Sequence, residues 1–572
     1  MMSESTSIEF VSPRPTVEIH LPDGRVISGP RGAAIGDFLK ILEEFEDAPI
    51  VGAIVNSQLR ELTYKLNIDA NVQPVTMGDA DGMRFYRRSL TFLLECAFQE
   101  LFHHTYLTID HSVSSGGYYC QVSNRPPLTK EELFSLQTRM EQIVVDDLPF
   151  TRREVPLSEA IAFFDARGHI DKVRLLRHRK KDTLVLYSLG EHKDYHHGYM
   201  VPSTGYLKWF GLVPTGEGFT LRFPRRHRPT ELLPMPDYPT LLATFHQYGA
   251  WLQRMGIDSV GALDDAIAAG RDREIVLISE ALHEQRIAEI AKQIADHTNE
   301  LRVILIAGPS SSGKTTFSKR LSIQLLARGI SPYPIEMDNY FVDRDLTPRD
   351  ENGKFDFESI RALNTQRLGE DLQRLGAWGS VQLPYFDFKS GTSQPGQIVQ
   401  LHPGQIIILE GIHGLNPELI PNIPTTNTFR IYVSALTQLN LDRHNRVSTT
   451  DTRLIRRIVR DARERGYSAL NTISRWESVR RGEKRYIFPY QENADVMFNS
   501  ALVYELAALK PLAEPLLRQV PFGTPEHIEA KRLLTFLEWF LPMDNNLIPS
   551  NSILKEFTGN SALKDFHIWP NR

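Results

Sequence analysis

The chain has 572 residues, of which 41% are hydrophobic and 24% charged, a composition typical of a large globular protein with about three or four domains. Its 65 basic and 70 acidic residues give a net charge of -5, which excludes the overall basic field of a bulk nucleic-acid binder. Only two cysteines occur, Cys96 and Cys120, so a disulfide framework is excluded and both are expected to be buried thiols. No apolar run reaches the length of a membrane span, so we expect a cytoplasmic protein without a membrane partner.

Residues 15–80 are predicted to form a small α+β domain. Thr16–Leu21 alternates like a strand, and a helix is expected near Ile35–Phe45. In the phrases Leu21-Pro-Asp-Gly-Arg25 and Val51–Leu59 the segment resembles a TGS domain, the ubiquitin-like module at the front of threonyl-tRNA synthetases and some GTPases.

Residues 84–225 resemble the second domain of threonyl-tRNA synthetases, through Arg87–Leu90, Glu131–Leu133 and Val201-Pro202. In that family the domain hydrolyses mischarged tRNA with two histidines four residues apart, a cysteine and a further histidine. The corresponding positions of this chain carry Phe92, Cys96, His196 and Met200. The resemblance therefore implies an editing domain that has lost its catalytic residues and is repurposed, with RNA or a regulatory ligand as candidate partners.

Three histidines, His192, His196 and His197, cluster in the same domain. They suit either a small metal or RNA contact or a solvated polar loop, and the solvated loop is favoured.

Residues 226–300 are predicted to form a mainly helical linker that opens with the Pro-rich stretch 228–239. A helix is expected near Glu280–His297. Its charged face is interpreted as solvated surface and includes His283, Glu284, Arg286 and Glu289.

The apolar stretch Leu301–Ala307 runs directly into Gly308-Pro-Ser-Ser-Ser-Gly-Lys-Thr315, a complete phosphate-binding loop, and a helix is expected over Thr316–Arg328. Two glycines let backbone N–H groups approach a triphosphate, a lysine reaches the outer phosphates, and the threonine hydroxyl binds Mg²⁺. The sequence therefore predicts a site for a nucleoside triphosphate with Mg²⁺. The predicted nucleotide-binding residues are Gly308, Ser310, Ser311, Ser312, Gly313, Lys314, Thr315 and Thr316.

From residue 301 onward, strands and helices alternate, which predicts an α/β fold: a P-loop NTPase-type doubly wound parallel sheet, preceded by two α+β domains. Ligands of such sheets lie beyond the carboxyl ends of the strands, where Asp338 and Glu410 are expected. The candidate strands are Val303–Ala307, Tyr333–Met337, Ile406–Leu409, Phe429–Val433 and Asp495–Asn499.

Residues 301–500 resemble the uridine kinase and phosphoribulokinase family. The motifs that carry the resemblance are the phosphate-binding loop, Asp338-Asn-Tyr-Phe341, Lys354-Phe-Asp356, Leu383–Phe388, Glu410-Gly411 and Asp451–Arg457. It implies transfer of the γ-phosphoryl group of ATP or GTP to the 5′-hydroxyl of a ribose-like acceptor. Asp338 is then the catalytic base beside Lys314, and Thr315, Glu410 and Asp338 form the Mg²⁺ site. Asp356 matches the family aspartate that holds ribose hydroxyls.

Six arginines lie between positions 453 and 465, and a spacing of three and four places Arg453, Arg456, Arg457 and Arg460 on one helical stripe. The stripe resembles the family's lid, whose arginines close over the phosphates, and Arg453 is expected to contact the acceptor. A solvated face of mixed charge is the alternative.

Phe386 and Gly391 stand where pyrimidine-specific members of the family carry a tyrosine and a histidine. Phe386 is expected to stack on a base, or Tyr385 to donate a hydrogen bond if the loop shifts by one residue. Uridine is the first candidate acceptor. A kinase of another hydroxylated metabolite, such as a sugar, and a non-catalytic nucleotide-gated RNA-binding protein are the alternatives.

Residues 501–572 form a predicted helical extension that packs on the kinase domain, with helices at Tyr504–Gln519 and Glu526–Phe540. A nucleotide clamp and a homo-oligomer contact are both open interpretations of this extension.

Overall fold

A computed structural model describes residues 12, 14–45, 48–113, 116–298, 300–350, 353 and 355–566. Lys354, from the predicted Lys354-Phe-Asp356 motif, lies outside the described residues. The chain divides into two compact units. The first comprises Met1–Ala160, Lys181–Met235 and Phe522–Ile528, and the second comprises Ile161–Lys180, Pro236–Pro521 and Glu529–Arg572.

A five-stranded mixed sheet opens the first unit, in the order β2-β1-β5-β3-β4. The β1 and β5 strands pair in parallel, whereas the other neighbours are antiparallel. Val17 and Ile19 alternate with more exposed residues along β1 and share one hydrophobic core with the helix residue Phe38. This packing of a helix on a mixed sheet confirms the predicted α+β fold. The elements are β1 (Thr16–His20), β2 (Val26–Pro30), α1 (Ile35–Leu39), β3 (Ile50–Val55), β4 (Gln58–Glu61) and β5 (Ala70–Thr76).

The remainder of the first unit is built on a long helix, α2 (Ala80–Leu101), and two small sheets, β11-β12-β7-β6 and β10-β9-β8. The α3 helix begins with a capping box: Thr129 Oγ1 accepts from the Glu132 N–H at 3.2 Å, and the Glu132 carboxylate accepts from the Thr129 N–H at 2.9 Å. The elements after α2 are β6 (Tyr106–Val113), β7 (Gly117–Ser123), α3 (Lys130–Val145), β8 (Thr151–Pro156), α4 (Leu157–Asp165), α5 (Ile170–Arg177), β9 (Thr183–Leu189), β10 (His192–Asp194), β11 (Gly211–Thr215) and β12 (Gly218–Arg222). Of these, α5 and the part of α4 from Ile161 onward belong to the second unit.

Three helices occupy the segment predicted as a linker: α6 (Pro239–Met255), α7 (Val260–Ala268) and α8 (Asp272–Ala295). They belong to the second unit and bury apolar side chains there. The solvated interpretation of the α8 face is wrong for His283, which is 1% exposed and whose Nε2 lies 3.2 Å from the carbonyl oxygen of Ala501. Burial lowers the pKa of His283 to about 3, so it packs as a neutral ring.

The second unit contains a parallel sheet, which confirms the predicted α/β class and its five strands. Its strands lie in the order β14 (Ser331–Glu336), β17 (Gln405–Glu410), β13 (Val303–Ala307), β18 (Thr428–Ser434) and β19 (Val496–Asn499). The β15-β16 hairpin, which forms a separate two-stranded sheet, was not among the predicted strands. Pro395 and Gly396 lie within its second strand, and most residues of that strand are exposed. Its sequence therefore lacks the alternation and composition typical of a strand.

The elements of this region are β13 (Val303–Ala307), α9 (Lys314–Leu326), β14 (Ser331–Glu336), α10 (Thr365–Gly376), β15 (Ser380–Asp387), β16 (Thr392–Gln400), β17 (Gln405–Glu410) and β18 (Thr428–Ser434). They continue with α11 (Thr449–Arg465), α12 (Ala469–Tyr486), β19 (Val496–Asn499), α13 (Glu505–Leu517), α14 (Pro525–Leu537) and α15 (Lys555–Thr558). Within the described ranges, every helix is too short or too polar to span a bilayer. Both cysteines are buried thiols, as predicted.

A buried ion pair inside the second unit gives a test of its packing. The side chains of Lys172 on α5 and Asp442 are both 0% exposed, with Nζ 3.2 Å from Oδ1. Replacing Lys172 with Met leaves the Asp442 carboxylate buried without this ammonium group, which costs about 3–5 kcal/mol of unfolding free energy. We expect a lower urea midpoint for Lys172→Met by circular dichroism, and no change for the exposed control Lys180→Met. Equal midpoints for both variants would contradict this packing.

Candidate active site

The phosphate-binding loop connects β13 to α9, as the motif predicts. Two of its positions admit only glycine. A Cβ on Gly308 would lie 1.9 Å from the Val433 carbonyl oxygen, and Gly313 has a φ of +85°, in the left-handed region. Ser311 also adopts a positive φ, 59°. The loop therefore presents its backbone closely around the N-terminus of α9, as anion binding requires.

The last three loop residues contact groups from three parts of the second unit. Lys314 Nζ donates to the Pro309 carbonyl oxygen at 3.3 Å, and the Thr315 hydroxyl donates to the Glu410 carboxylate at 3.1 Å. Thr316 donates its hydroxyl to the Glu556 carboxylate at 2.8 Å and its backbone N–H at 3.3 Å. The Glu556 carboxylate therefore already accepts hydrogen bonds at the start of α9, where a phosphate group is expected to bind.

Two predicted carboxylates stand at the carboxyl ends of neighbouring strands. Glu410 ends β17, which pairs in parallel with β13 on one side and β14 on the other. Asp338 follows β14 in a short 3-10 helix, Met337–Tyr340. Burial raises the pKa of Asp338, and the Lys314 ammonium opposes this shift. Burial also raises the pKa of Glu410 to about 7, with Asp338 and Glu336 adding to the increase and Lys314 opposing it.

The predicted Mg²⁺ residues fit such an ion. Thr315 and Glu410 are hydrogen-bonded, and Asp338 is close enough to raise the pKa of Glu410 electrostatically. Carboxylate and hydroxyl oxygens are the ligands that Mg²⁺ prefers, and a divalent cation would offset the mutual repulsion of the two carboxylates.

Two arginines of the predicted lid stripe on α11 are buried. Arg453 is 1% exposed and donates to Glu483, with Nη2 2.7 Å from Oε2. Arg456 is 0% exposed and donates to Glu505, with Nε 2.8 Å from Oε2. The alternative of a solvated mixed-charge face is therefore wrong for both. Because Arg453 is committed to a buried carboxylate, its predicted contact with the acceptor stays a prediction.

The same stripe lies against the phosphate-binding loop. Arg457 Nη1 donates to Ser310 Oγ at 3.0 Å, and the guanidinium groups of Arg453 and Arg456 lie 3.4 and 3.5 Å from the carbonyl oxygens of Ser310 and Ser311. Arg460 pairs with Asp461 at 2.9 Å instead. Three of the four arginines therefore contact the loop. Arg453 and Arg456 reach its backbone carbonyl oxygens, and Arg457 reaches the Ser310 side chain. Closure of these residues over phosphates stays a prediction.

The loop backbone also has acidic and polar support. The Ser310 N–H donates to Glu483 Oε1 at 3.1 Å, so one carboxylate connects Arg453 to the loop. The Ser312 carbonyl oxygen accepts a hydrogen bond from the Ser500 hydroxyl, just after β19.

Two of the predicted acceptor-binding residues, Asp356 and Phe386, contact other side chains of the second unit. Asp356 accepts a hydrogen bond from the Tyr486 hydroxyl at 3.0 Å. Phe386 is only 5% exposed and packs against Phe341 and Phe388, so stacking of a base on Phe386 stays a prediction. The exposed rings of the hairpin are those of Tyr385, at 54%, and Phe388, at 59%.

Gly391 closes this hairpin with a φ of +73°, and a Cβ there would lie 2.7 Å from the Arg344 guanidinium carbon. The conformation explains why glycine stands at this position rather than a histidine.

Sequence reasoning missed three ionisable residues of this region. Burial raises the pKa of Glu358 to about 7, with Glu483 adding to the shift, and burial lowers the pKa of His413 to about 4. Glu358 follows Asp356 by two residues and His413 follows Glu410 by three, so proximity to a motif was the available signal. Glu556 is 240 residues from its partner Thr316, and nothing in the local sequence connects them.

The four positions that the resemblance aligns with editing residues are buried in the first unit. Phe92 and Met200 are 0% and 1% exposed within one hydrophobic cluster. Burial raises the pKa of the Cys96 thiol to about 12, so no thiolate forms near neutral pH. The solvated interpretation of the histidine cluster is wrong for His192 and His196, whose side chains are 8% and 4% exposed.

Comparison with known proteins separates the two parts of the chain. The N-terminal region is similar to threonine–tRNA ligases: the Laribacter hongkongensis enzyme is 32% identical over 196 residues, which cover 34% of this chain and 31% of the ligase. The Symbiobacterium thermophilum enzyme is 33% identical over 198 residues, covering 34% of this chain and 30% of the ligase. The chain thus spans less than a third of the length of these relatives.

The C-terminal region is similar to kinases. A solved structure described as a possible uridine kinase from Bacillus stearothermophilus is 22% identical and covers 37% of this chain and 97% of its own, at a TM-score of 0.27, a value too low to bear on function. Residues 303–507 match the model of the Phosphoribulokinase / Uridine kinase family. The matched residues lie within the second unit and include the phosphate-binding loop, Asp338 and Glu410, so this region is similar to a P-loop kinase domain of that family.

Proposed function

We propose that the protein is a nucleoside kinase, similar to uridine kinases, that transfers the γ-phosphoryl group of ATP or GTP to the 5′-hydroxyl of a ribonucleoside. The observation that carries this proposal is the hydrogen bond between Thr315 and Glu410, next to Asp338 and Lys314, at the carboxyl ends of β13, β14 and β17. Phosphoryl transfer depends on positioning and charge neutralisation, and these residues supply a cation, oxygen ligands and a base within one site.

Asp338 is the proposed general base. A general base is most effective when its pKa approaches the working pH, and burial raises the pKa of Asp338 in that direction. Lys314 places a positive charge beside the outer phosphates, while Thr315 and Glu410 would hold Mg²⁺. Bound there, the ion would neutralise charge on the transferred group.

Two features of the second unit favour a ribonucleoside as the acceptor. Asp356 can accept two hydrogen bonds from ribose hydroxyls and already accepts one from Tyr486. The hairpin carrying the exposed ring of Phe388 packs against Phe341, three residues after Asp338, with ring centroids 6.3 Å apart. Exposed aromatic rings offer a stacking surface for a base, which a sugar phosphate does not need.

The first test is an acceptor survey. Purified protein is incubated with Mg²⁺ and ATP or GTP, and nucleosides and sugars are screened by chromatography for phosphorylated product. Nucleoside 5′-monophosphate that requires both triphosphate and Mg²⁺ supports the proposal. Phosphorylation of sugars alone would replace it with a sugar kinase, and nucleotide binding without any product would favour the non-catalytic alternative.

The role of Asp338 predicts a large loss of turnover in Asp338→Asn. Because a carboxamide cannot accept the acceptor's proton, we expect kcat to fall by about 10²- to 10⁴-fold while the nucleotide still binds. Steady-state kinetics and nucleotide titration of the same preparation check both parts. The exposed Asp345→Asn serves as the matched control and should keep full activity. Undiminished turnover in Asp338→Asn would contradict the assignment.

Glu556 predicts an effect on nucleotide affinity. Its carboxylate occupies the hydroxyl and N–H of Thr316, donors that a phosphate group could use, and its charge repels a triphosphate. We expect Glu556→Gln to lower the Kd for ATP or GTP by about tenfold, equivalent to about 1.4 kcal/mol. Titration calorimetry of Glu556→Gln beside the exposed control Asp565→Asn measures this. A Kd that is unchanged or raised would show that Glu556 does not compete with the nucleotide.

A further inference from the structure

A compact group of ionisable side chains lies in the first unit, outside the kinase motifs and next to the positions that align with editing residues. One carboxylate oxygen or ring nitrogen from each of Glu95, His192 and Asp194 lies within 4.8 Å of the others. Glu95 is 3% and Asp194 0% exposed, and the His192 side chain is 8% exposed. Such a set, one imidazole and two carboxylates, is typical of divalent transition-metal sites.

The secondary structure directs these three side chains to one place. His192 and Asp194 are two residues apart on β10, so they share one face of the strand, while exposed Lys193 points to the other. Glu95 lies on α2, one turn before Gln99, which contacts His192. One candidate ligand from α2 and two from β10 therefore point toward the same place, where a single ion could contact all three.

The hydrogen bonding of His192 leaves one ring nitrogen available to a cation. Its Nδ1 lies 2.6 Å from Gln99 Oε1, a distance that suits an N–H donated to the amide oxygen, and a neutral ring then carries its lone pair on Nε2. Among the described residues Nε2 has no hydrogen-bond partner, and it lies 3.6 Å from the Glu95 carboxylate. A metal ion bound to both atoms would satisfy the lone pair and the carboxylate in this buried site.

Each candidate ligand is also held by an outer partner, as ligands of built metal sites usually are. Gln99 fixes His192, the Tyr195 N–H donates to Asp194 Oδ1 at 2.7 Å, and His196 Nε2 lies 3.0 Å from Glu95 Oε1. Phe92 packs edge-on against both histidines, with centroids 4.8 and 5.5 Å away. The ring fills a former editing position and orients the imidazoles.

We propose that Glu95, His192 and Asp194 bind one divalent transition-metal ion of the zinc type, with His196 as a positioning residue. The proposal is independent of the kinase activity. Three protein ligands leave a coordination position for water or for an anionic ligand. The site therefore gives the first unit a metal-dependent binding function in a domain whose editing residues are gone.

The test uses the full chain, stripped with a chelator and titrated with zinc chloride in the absence of nucleotide and Mg²⁺. We expect one zinc ion per chain at this site, with an affinity that falls at least tenfold in His192→Gln and in Glu95→Gln. The exposed His103→Gln is the matched control, and Glu410→Gln removes zinc bound at the kinase site without affecting this one. Zinc retained equally by wild type, His192→Gln and Glu95→Gln would overturn the proposal. A Glu410→Gln chain that binds no zinc, although Glu95, His192 and Asp194 are intact, would overturn it as well.

X-ray absorption at the zinc edge of the loaded Glu410→Gln protein keeps the test decisive if the other variants do not fold. A shell of nitrogen and oxygen ligands with an imidazole signature is the expected result. A sulfur ligand would contradict the assignment, because it would place the ion on Cys96 or Cys120 instead.

Discussion

The parallel pairing of β17 with both β13 and β14 is the constraint on which the kinase site depends. It ends three strands at one edge of the sheet and places Glu410 beside Thr315 on one side and near Asp338 on the other. Burial raises the pKa of Glu410 to about 7, the Lys314 charge opposes this shift, and the Asp338 carboxylate adds to it. A site with this balance of charges is prepared to hold a cation and a polyphosphate together.

A second layer of charge supports the loop from behind. The pairs Arg453–Glu483 and Arg456–Glu505 are buried, and each arginine also reaches a loop carbonyl oxygen. Buried pairs of this kind add little net stability, but removing one partner leaves an uncompensated charge. The two pairs therefore hold Arg453 and Arg456 against the loop, and contact of Arg457 with phosphates stays a prediction.

Local patterns were sufficient to predict the α/β fold of the second unit and where the residues of its candidate site lie. The glycines of the loop, the five apolar strands and the carboxylates that follow β14 and end β17 are all encoded within a few residues. Long-range partners were not predictable: Glu556 meets Thr316 only through the tertiary fold, and the burial of Arg453 depends on Glu483, thirty residues away. In the first unit, the resemblance to threonyl-tRNA synthetases indicated which positions to compare, but no local pattern showed that Glu95, His192 and Asp194 converge.

The proposed function of the second unit is transfer of a γ-phosphoryl group to a nucleoside. Nuclear magnetic resonance of the product made from uridine, Mg²⁺ and ATP tests this transfer, because phosphorus coupling to C5′ reports both the transfer and its position. We expect a 5′-monophosphate whose formation stops when ATP is omitted. Release of inorganic phosphate from ATP while uridine stays unmodified would contradict the proposed function.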